Sequence, residues 1–129
     1  MTNGSKPLIL VVEDDEDIRH FLQMMLRHEG YAVLIAENAE EAKTVLKERQ
    51  GVRLLILDML LTNENGLDIS REIKENPDYA HIPILMISAH PQLPFLVAKG
   101  KIDDYLEKPF NLKDLEEKVA ALLKLEVRK

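Results

Sequence analysis

Five short apolar runs recur along the chain, and a segment of mixed apolar and polar residues follows each of them. The runs occupy residues 8–12, 31–36, 54–57, 82–87 and 104–106. Most are continuous rather than alternating, which is typical of strands that are covered on both faces. We therefore predict five buried strands.

The intervening segments repeat their apolar residues at spacings of three and four, the pattern of a helix that buries one stripe. The first predicted helix has its stripe on Ile18, Phe21, Leu22, Met25 and Leu26. The last helix, with Asn111 as its cap, has its stripe on Leu112, Leu115, Val119, Leu122 and Leu123. Residues 58–66 are predicted as a loop. Within 88–102, Pro91 and Pro94 either limit a helix to about residues 95–100 or make it start at one of these prolines.

Strands that alternate with helices predict an α/β fold built from parallel βαβ units. The common layout for five strands is a doubly wound parallel sheet of flavodoxin-like order 2-1-3-4-5, with helices on both faces. Residues 1–6 are expected to form a disordered N-terminal tail, and residues 7–127 a single domain of ordinary length.

The composition narrows the functions that such a domain can serve. The 129 residues include 17 Lys and Arg against 23 Asp and Glu, a formal net charge of −6. This acidic balance argues against nucleic acid or an anionic membrane as a direct partner. The absence of cysteine excludes disulfides, thiolate metal sites and a cysteine nucleophile. A polar start and the lack of a long apolar run lead us to expect a cytoplasmic location.

Carboxylates stand where two of the predicted strands end. Glu13, Asp14 and Asp15 follow the first strand, and Asp58 ends the third. These ends are neighbours in the predicted order, at the position where open α/β sheets bind ligands. Clustered carboxylates either raise a pKa or take up a cation, and Mg²⁺ suits such oxygen ligands best. Acids also suit a helix N-terminus or a turn, but neither role explains both groups together.

Two further polar groups follow the fourth and fifth strands, namely Ser88 and Lys108. A hydroxyl, an ammonium group and a metal-binding carboxylate cluster together make a site for a phosphoryl group, with Asp58 left to accept it. Taken singly, Ser88 also suits a helix cap and Lys108 a solvated charge.

These residues stand in an order and spacing that resemble a response-regulator receiver domain of two-component signalling, of the single-domain chemotaxis or sporulation-relay kind. The resemblance covers nearly the whole chain. Its motifs are ILVVEDD at 9–15, LLILD at 54–58, NG at 65–66, ISA at 87–89 and DYLEKPF at 104–110.

The resemblance implies a role for each acidic residue. Asp58 would be the phospho-acceptor and also a metal ligand. Asp14 would bind Mg²⁺ directly, and Glu13 would bind it through water. Leu60 would offer its backbone carbonyl to the same ion.

On the phosphoryl side, Ser88 would bind an oxygen of the group and Lys108 would form an ion pair with it, helped by a cis Lys108–Pro109 bond. Tyr105 would be the switch aromatic, which turns inward when Ser88 moves. The donor would be a sensor histidine kinase or a histidine phosphotransfer protein, and the output would pass to a downstream protein target. Such a domain is no turnover enzyme, because it catalyses only its own aspartyl phosphorylation and dephosphorylation.

The chain departs from the family pattern at one position near the acceptor and in a short connection from Ser88 to Tyr105. Thr62 stands where the family usually has proline. Leu60 and His90 occupy positions that tune the access of water to the acyl phosphate, and an apolar Leu60 is expected to prolong the phosphorylated state.

Three other classes of protein stay open at this point. A Mg²⁺-dependent phosphatase of the haloacid-dehalogenase type also uses an Asp after a strand, but it needs a second Asp where this chain has Leu60. A flavodoxin-like cofactor binder needs a phosphate-cradling loop after the first strand, where residues 13–15 are acidic. A receiver that acts only as a scaffold would keep the fold without being phosphorylated.

Overall fold

A computed structural model describes residues 6–89 and 102–123 of the chain. In chain order its elements are β1 (Leu8–Val12), α1 (Glu16–His28), β2 (Ala32–Ala36), α2 (Ala39–Glu48), β3 (Val52–Asp58), β4 (Leu60–Leu61), β5 (Glu64–Asn65), α3 (Gly66–Glu75), β6 (Ile84–Ser88), β7 (Asp104–Glu107) and α4 (Leu112–Leu123). Among these described residues, no helix is long and apolar enough to cross a bilayer.

The main sheet has five parallel strands in the order β2-β1-β3-β6-β7. This is the predicted order 2-1-3-4-5, because β4 and β5 form a separate two-stranded hairpin. In the ladder, Val12 lies between Ala36 and Leu57, so β1 and β3 end side by side. The predicted α/β fold is therefore confirmed, and the carboxyl ends of its two central strands are neighbours.

Both faces of the sheet are buried, which explains the continuous apolar runs. One face packs against α2 and α3 through a layer that includes Leu10, Leu55, Leu57, Met86, Ala42, Leu46, Ile69 and Ile73. The other face packs against α1 and α4 through a layer that includes Ile9, Val11, Leu54, Ile56, Leu22, Leu26, Leu115 and Val119. Alternate residues of each strand thus serve opposite layers, and both layers hold the strand ends in place.

The helices begin and end where local chemistry predicts. The Asn111 side chain accepts a hydrogen bond from Asp114 N at 2.8 Å, as expected for the cap of α4. Gly30 and Gly51 follow α1 and α2 with φ of +96° and +91°, a backbone region that side chains disfavour.

Two local predictions were wrong. Phe21 was placed on the buried stripe of α1, yet it is 42% exposed, because Leu22 and Leu26 form the centre of the stripe and Phe21 lies at its margin. The segment 58–66 is not a plain loop, since it contains the β4–β5 hairpin. The expected helix near 95–100 and His90 lie outside the described residues, as do residues 1–5 of the expected tail and the end of the expected domain at 127.

Candidate functional site

The acids that follow β1 have separate roles. Asp15 caps α1, since its carboxylate accepts a hydrogen bond from Ile18 N at 3.1 Å. Glu13 is only 1% exposed and lies beneath this turn. Its N–H donates to Ala36 O at 3.0 Å, and its carbonyl accepts from the Arg19 guanidinium at 3.1 Å. The backbone at Glu13 is therefore fixed from both sides.

Asp58 ends β3 and is 4% exposed. Its Oδ1 accepts a hydrogen bond from Leu60 N at 3.1 Å, and its Oδ2 lies 3.1 Å from Lys108 Nζ. The next residue, Met59, continues the ladder by donating its N–H to Ile87 O at 2.9 Å. The acceptor candidate is thus a buried carboxylate, and both of its oxygens have a partner.

The structure brings together the three carboxylates predicted to bind a metal. Glu13, Asp14 and Asp58 each offer an oxygen, and these oxygens all lie within 4.8 Å of one another. Only oxygen ligands are present in this set; Glu13 and Asp58 are buried, and Asp14 is partly exposed. Mg²⁺ is a hard cation that binds to proteins through few carboxylates and keeps several of its waters. The three residues therefore fit Mg²⁺.

In the cluster, a single positive group faces more than one carboxylate. Lys108 Nζ lies 3.1 Å from Asp58 Oδ2 and 3.5 Å from Glu13 Oε1, so one ammonium group serves two buried carboxylates. Burial raises the pKa of Glu13 to about 7, and the hydrogen bond and negative charge of neighbouring Asp58 add to the rise. Without a metal ion, the Glu13 carboxyl therefore holds a proton up to near neutral pH.

Asp14 lies at the exposed edge of the cluster, where it meets a residue of the hairpin. Its Oδ2 accepts hydrogen bonds from Thr62 N, at 2.6 Å, and from the Thr62 hydroxyl. The hydroxyl bond is the main cause that lowers the pKa of Asp14. The sequence marked Thr62 only as a departure from the family pattern, because nothing local links it to a residue 48 positions earlier.

Gly66 closes the hairpin against the end of β3. Its N–H donates to Met59 O at 2.7 Å. A Cβ at this position would lie 2.5 Å from Asp58 O and 2.8 Å from Met59 Cα, which no side chain tolerates without a backbone shift. The Asn65-Gly66 motif thus has a steric reason, and Asn65 also caps α3 by accepting from Leu67 N at 2.7 Å.

The remaining predicted residues lie on the two strands next to β3. Ser88 ends β6, is 1% exposed, and accepts a backbone hydrogen bond from Lys108 N at 2.9 Å. The Lys108–Pro109 peptide is cis, as predicted. Tyr105 is half-buried on β7, where it pairs with Met86 and has Lys118 Nζ 5.7 Å from its ring centroid. The side chain of Leu60 is exposed beside the acceptor, and the metal-binding role of its carbonyl stays a prediction.

The sequence matches the response regulator receiver domain family over residues 9–120. This match covers most of the chain, so the chain belongs to the family. Its members are phospho-accepting signalling domains that in general bind Mg²⁺.

Named relatives and solved structures agree with this assignment. The transcriptional regulatory protein CpxR of Klebsiella pneumoniae is 33% identical over 118 residues, which cover 90% of this chain and 49% of that protein. A putative response regulator of Chloroflexus aurantiacus has a TM-score of 0.85 at 30% identity, covering 93% of this chain and 99% of that one. TrrA of Thermotoga maritima, solved in complex with Mg²⁺-BeF, has a TM-score of 0.81 at 33% identity, covering 90% and 98%. The chain spans about half the length of the curated relatives it matches.

Proposed function

We propose that this chain accepts a phosphoryl group on Asp58 from a phosphohistidine and thereby switches a protein-binding surface. The observation that carries the proposal is the setting of Asp58, a buried carboxylate between Lys108 and the acids Glu13 and Asp14. A buried carboxylate with only a structural role would need fewer charged neighbours. This one has an ammonium group at 3.1 Å and a cluster of oxygen ligands beside it.

Asp14 would hold Mg²⁺ directly, Glu13 through water, and Leu60 through its carbonyl. When bound, the ion supplies charge neutralisation for the phosphoryl oxygens. The Mg²⁺ in the TrrA structure supports the choice of ion. The chain itself offers no second acid two residues after Asp58, which separates it from the aspartate-nucleophile phosphatases considered above.

The transfer step belongs to Asp58. One of its carboxylate oxygens forms a bond to phosphorus while the bond from phosphorus to the donor imidazole nitrogen breaks. The electron pair of that bond stays on the imidazole. Lys108 remains beside the transferred group and offsets its charge, while Ser88 donates a hydrogen bond to one of its oxygens. Water later hydrolyses the acyl phosphate and restores the carboxylate, and the apolar Leu60 side chain slows that step.

The switch follows from the packing of β6 and β7. When Ser88 moves toward the phosphoryl group, the space that it leaves admits the Tyr105 ring. Phosphorylation then rebalances two packings that both exist in the unmodified protein. The partly buried position of Tyr105 on an edge strand supports this role, because an edge ring can turn without breaking the sheet.

The partners follow from the chemistry of the step and from the charge of the chain. The donor would be a sensor histidine kinase or a histidine phosphotransfer protein in the cytoplasm. Relatives twice as long are named transcriptional regulatory proteins. For this chain we propose a downstream protein target rather than direct DNA contact, because its net charge is −6.

Intact mass spectrometry after incubation with acetyl phosphate tests the proposal. Wild-type protein should gain one phosphate in the presence of Mg²⁺ and much less with a chelator. Asp58→Asn should gain none, whereas Asp78→Asn, which changes an exposed acid in a turn, should behave as wild type. An unchanged gain in Asp58→Asn would reject the acceptor assignment. No gain in wild type would instead favour a scaffold receiver.

A further inference from the structure

We propose that Thr62 is a positioning residue for the metal site, holding the Asp14 carboxylate in the orientation that completes the carboxylate cluster. This inference rests on the proposed function, because it concerns the same Mg²⁺ site. It assigns a task to a residue that lies outside the carboxylate cluster.

Two independent donors of one residue meet the same carboxylate oxygen. Thr62 N lies 2.6 Å from Asp14 Oδ2, and the Thr62 hydroxyl donates to that oxygen as well. With these bonds in place, an oxygen of Asp14 still lies within 4.8 Å of oxygens of Glu13 and Asp58. The hydrogen-bonded orientation is thus one in which the three ligands already converge. Proline at position 62 would supply neither donor.

The donors are held by the hairpin that carries them. Thr62 and Asn63 form the turn between β4 and β5, whose register pairs Leu61 with Glu64. The Glu64 carboxylate accepts a hydrogen bond from Ala39 N at 2.8 Å, which ties the hairpin to the first turn of α2. The turn is therefore anchored to a helix, and it presents a fixed pair of donors to Asp14.

A hydrogen-bond partner of a metal ligand fixes the orientation of that ligand before the ion binds. Removing such a partner typically lowers the affinity for the metal by about 10- to 100-fold. Thr62 is exposed and its amide remains in a side-chain variant, so we expect the lower end, about 10-fold. If Thr62 instead competed with the ion for Asp14, removing its hydroxyl would strengthen Mg²⁺ binding. The existing convergence of the three carboxylates favours positioning over competition.

Isothermal titration calorimetry with MgCl₂ shows whether the loss of the Thr62 hydroxyl weakens or strengthens Mg²⁺ binding. Thr62→Val keeps the shape and removes the hydroxyl, so Mg²⁺ should bind about 10-fold more weakly. Thr62→Ser restores the donor and should bind as wild type. Thr44→Val, an exposed position on α2, is the matched control for the same chemical change. Unchanged or tighter binding by Thr62→Val overturns the inference.

A metal-free measurement tests the contact itself. The Thr62 amide should exchange its hydrogen more slowly in wild type than in Asp14→Ala, as followed by NMR, because the variant lacks its acceptor. Equal exchange rates would overturn the inference. A wild-type protein that binds no Mg²⁺ would refute the metal site and the proposed function together. Wild-type binding that Thr62→Val leaves unchanged would refute the role of Thr62 alone.

Discussion

The buried carboxylate of Glu13 makes the metal-free protein less stable as the pH rises. Its pKa is raised from 4.5 to about 7, so the folded protein binds this proton more tightly than the unfolded chain does. The resulting stability is fully present below about pH 4.5 and is lost as the pH rises through about 7. One pKa unit is about 1.4 kcal/mol, so ionising Glu13 lowers the free energy of unfolding by about 3 kcal/mol.

Glu13→Gln removes this titration and keeps the shape of the side chain. Its amide oxygen can still accept the hydrogen bond that Asp15 N gives to Glu13 Oε2 at 3.1 Å. In wild type, about 1 kcal/mol of the stabilisation from protonated Glu13 is already lost at about pH 5, and nearly all of it is lost at about pH 8. The free energy of unfolding of Glu13→Gln, relative to wild type, should therefore grow by about 2 kcal/mol across that range.

Urea denaturation followed by circular dichroism measures the difference, since the chain has no tryptophan. Both proteins are compared in chelator at the two pH values, which cancels the titration of the other acids. Glu16→Gln, which changes an exposed carboxyl in α1, is the control for the generic removal of one acid. A difference between Glu13→Gln and wild type that stays constant with pH would refute the reasoning.

Three further variants test other parts of the site and its support. Gly66→Ala should lower the free energy of unfolding by about 1–3 kcal/mol, because the added methyl group would overlap backbone atoms of Asp58 and Met59. An unchanged urea midpoint would contradict this. Lys74→Met removes a cation 3.0 Å from Asp103 and 2.7 Å from a backbone carbonyl, so the same assay should show a loss of about 2 kcal/mol. Leu60→Asn should shorten the lifetime of the phosphorylated protein, measured by mass spectrometry after the phosphodonor is removed. An equal lifetime would exclude shielding by Leu60.

The sheet could be predicted because each strand is covered on both faces and therefore reads as a continuous apolar run. Once the strand order was fixed, the ends of β1 and β3 had to meet, and Glu13 and Asp58 followed from topology alone. Helical periodicity was less informative at the margin of α1. There Arg19 is 8% exposed, because its guanidinium reaches the carbonyl of Glu13 and the carboxylate of Glu37. Periodicity cannot foresee a buried cation whose partners lie on other elements.

The contact between Thr62 and Asp14 was beyond prediction for a related reason. It depends on a two-residue turn within nine residues that carry no strong strand pattern, and on a partner 48 positions away. The Lys74–Asp103 ion pair is similar, since it joins α3 to the residue before β7. Topology predicts which strand ends meet, but the side-chain pairs that join helices and turns to distant segments need coordinates.

The backbone hydrogen bond from Lys108 to the carbonyl of Ser88 has a consequence for anyone who wishes to control this protein. Under the proposed function, the residue that responds to the phosphoryl group and the residue that offsets its charge are joined through the main chain, so a shift of one strand end is expected to move the other. If the proposal holds, a compound that displaced either strand end would disturb phosphoryl transfer and the switch together. Such a compound would act without entering the carboxylate cluster itself.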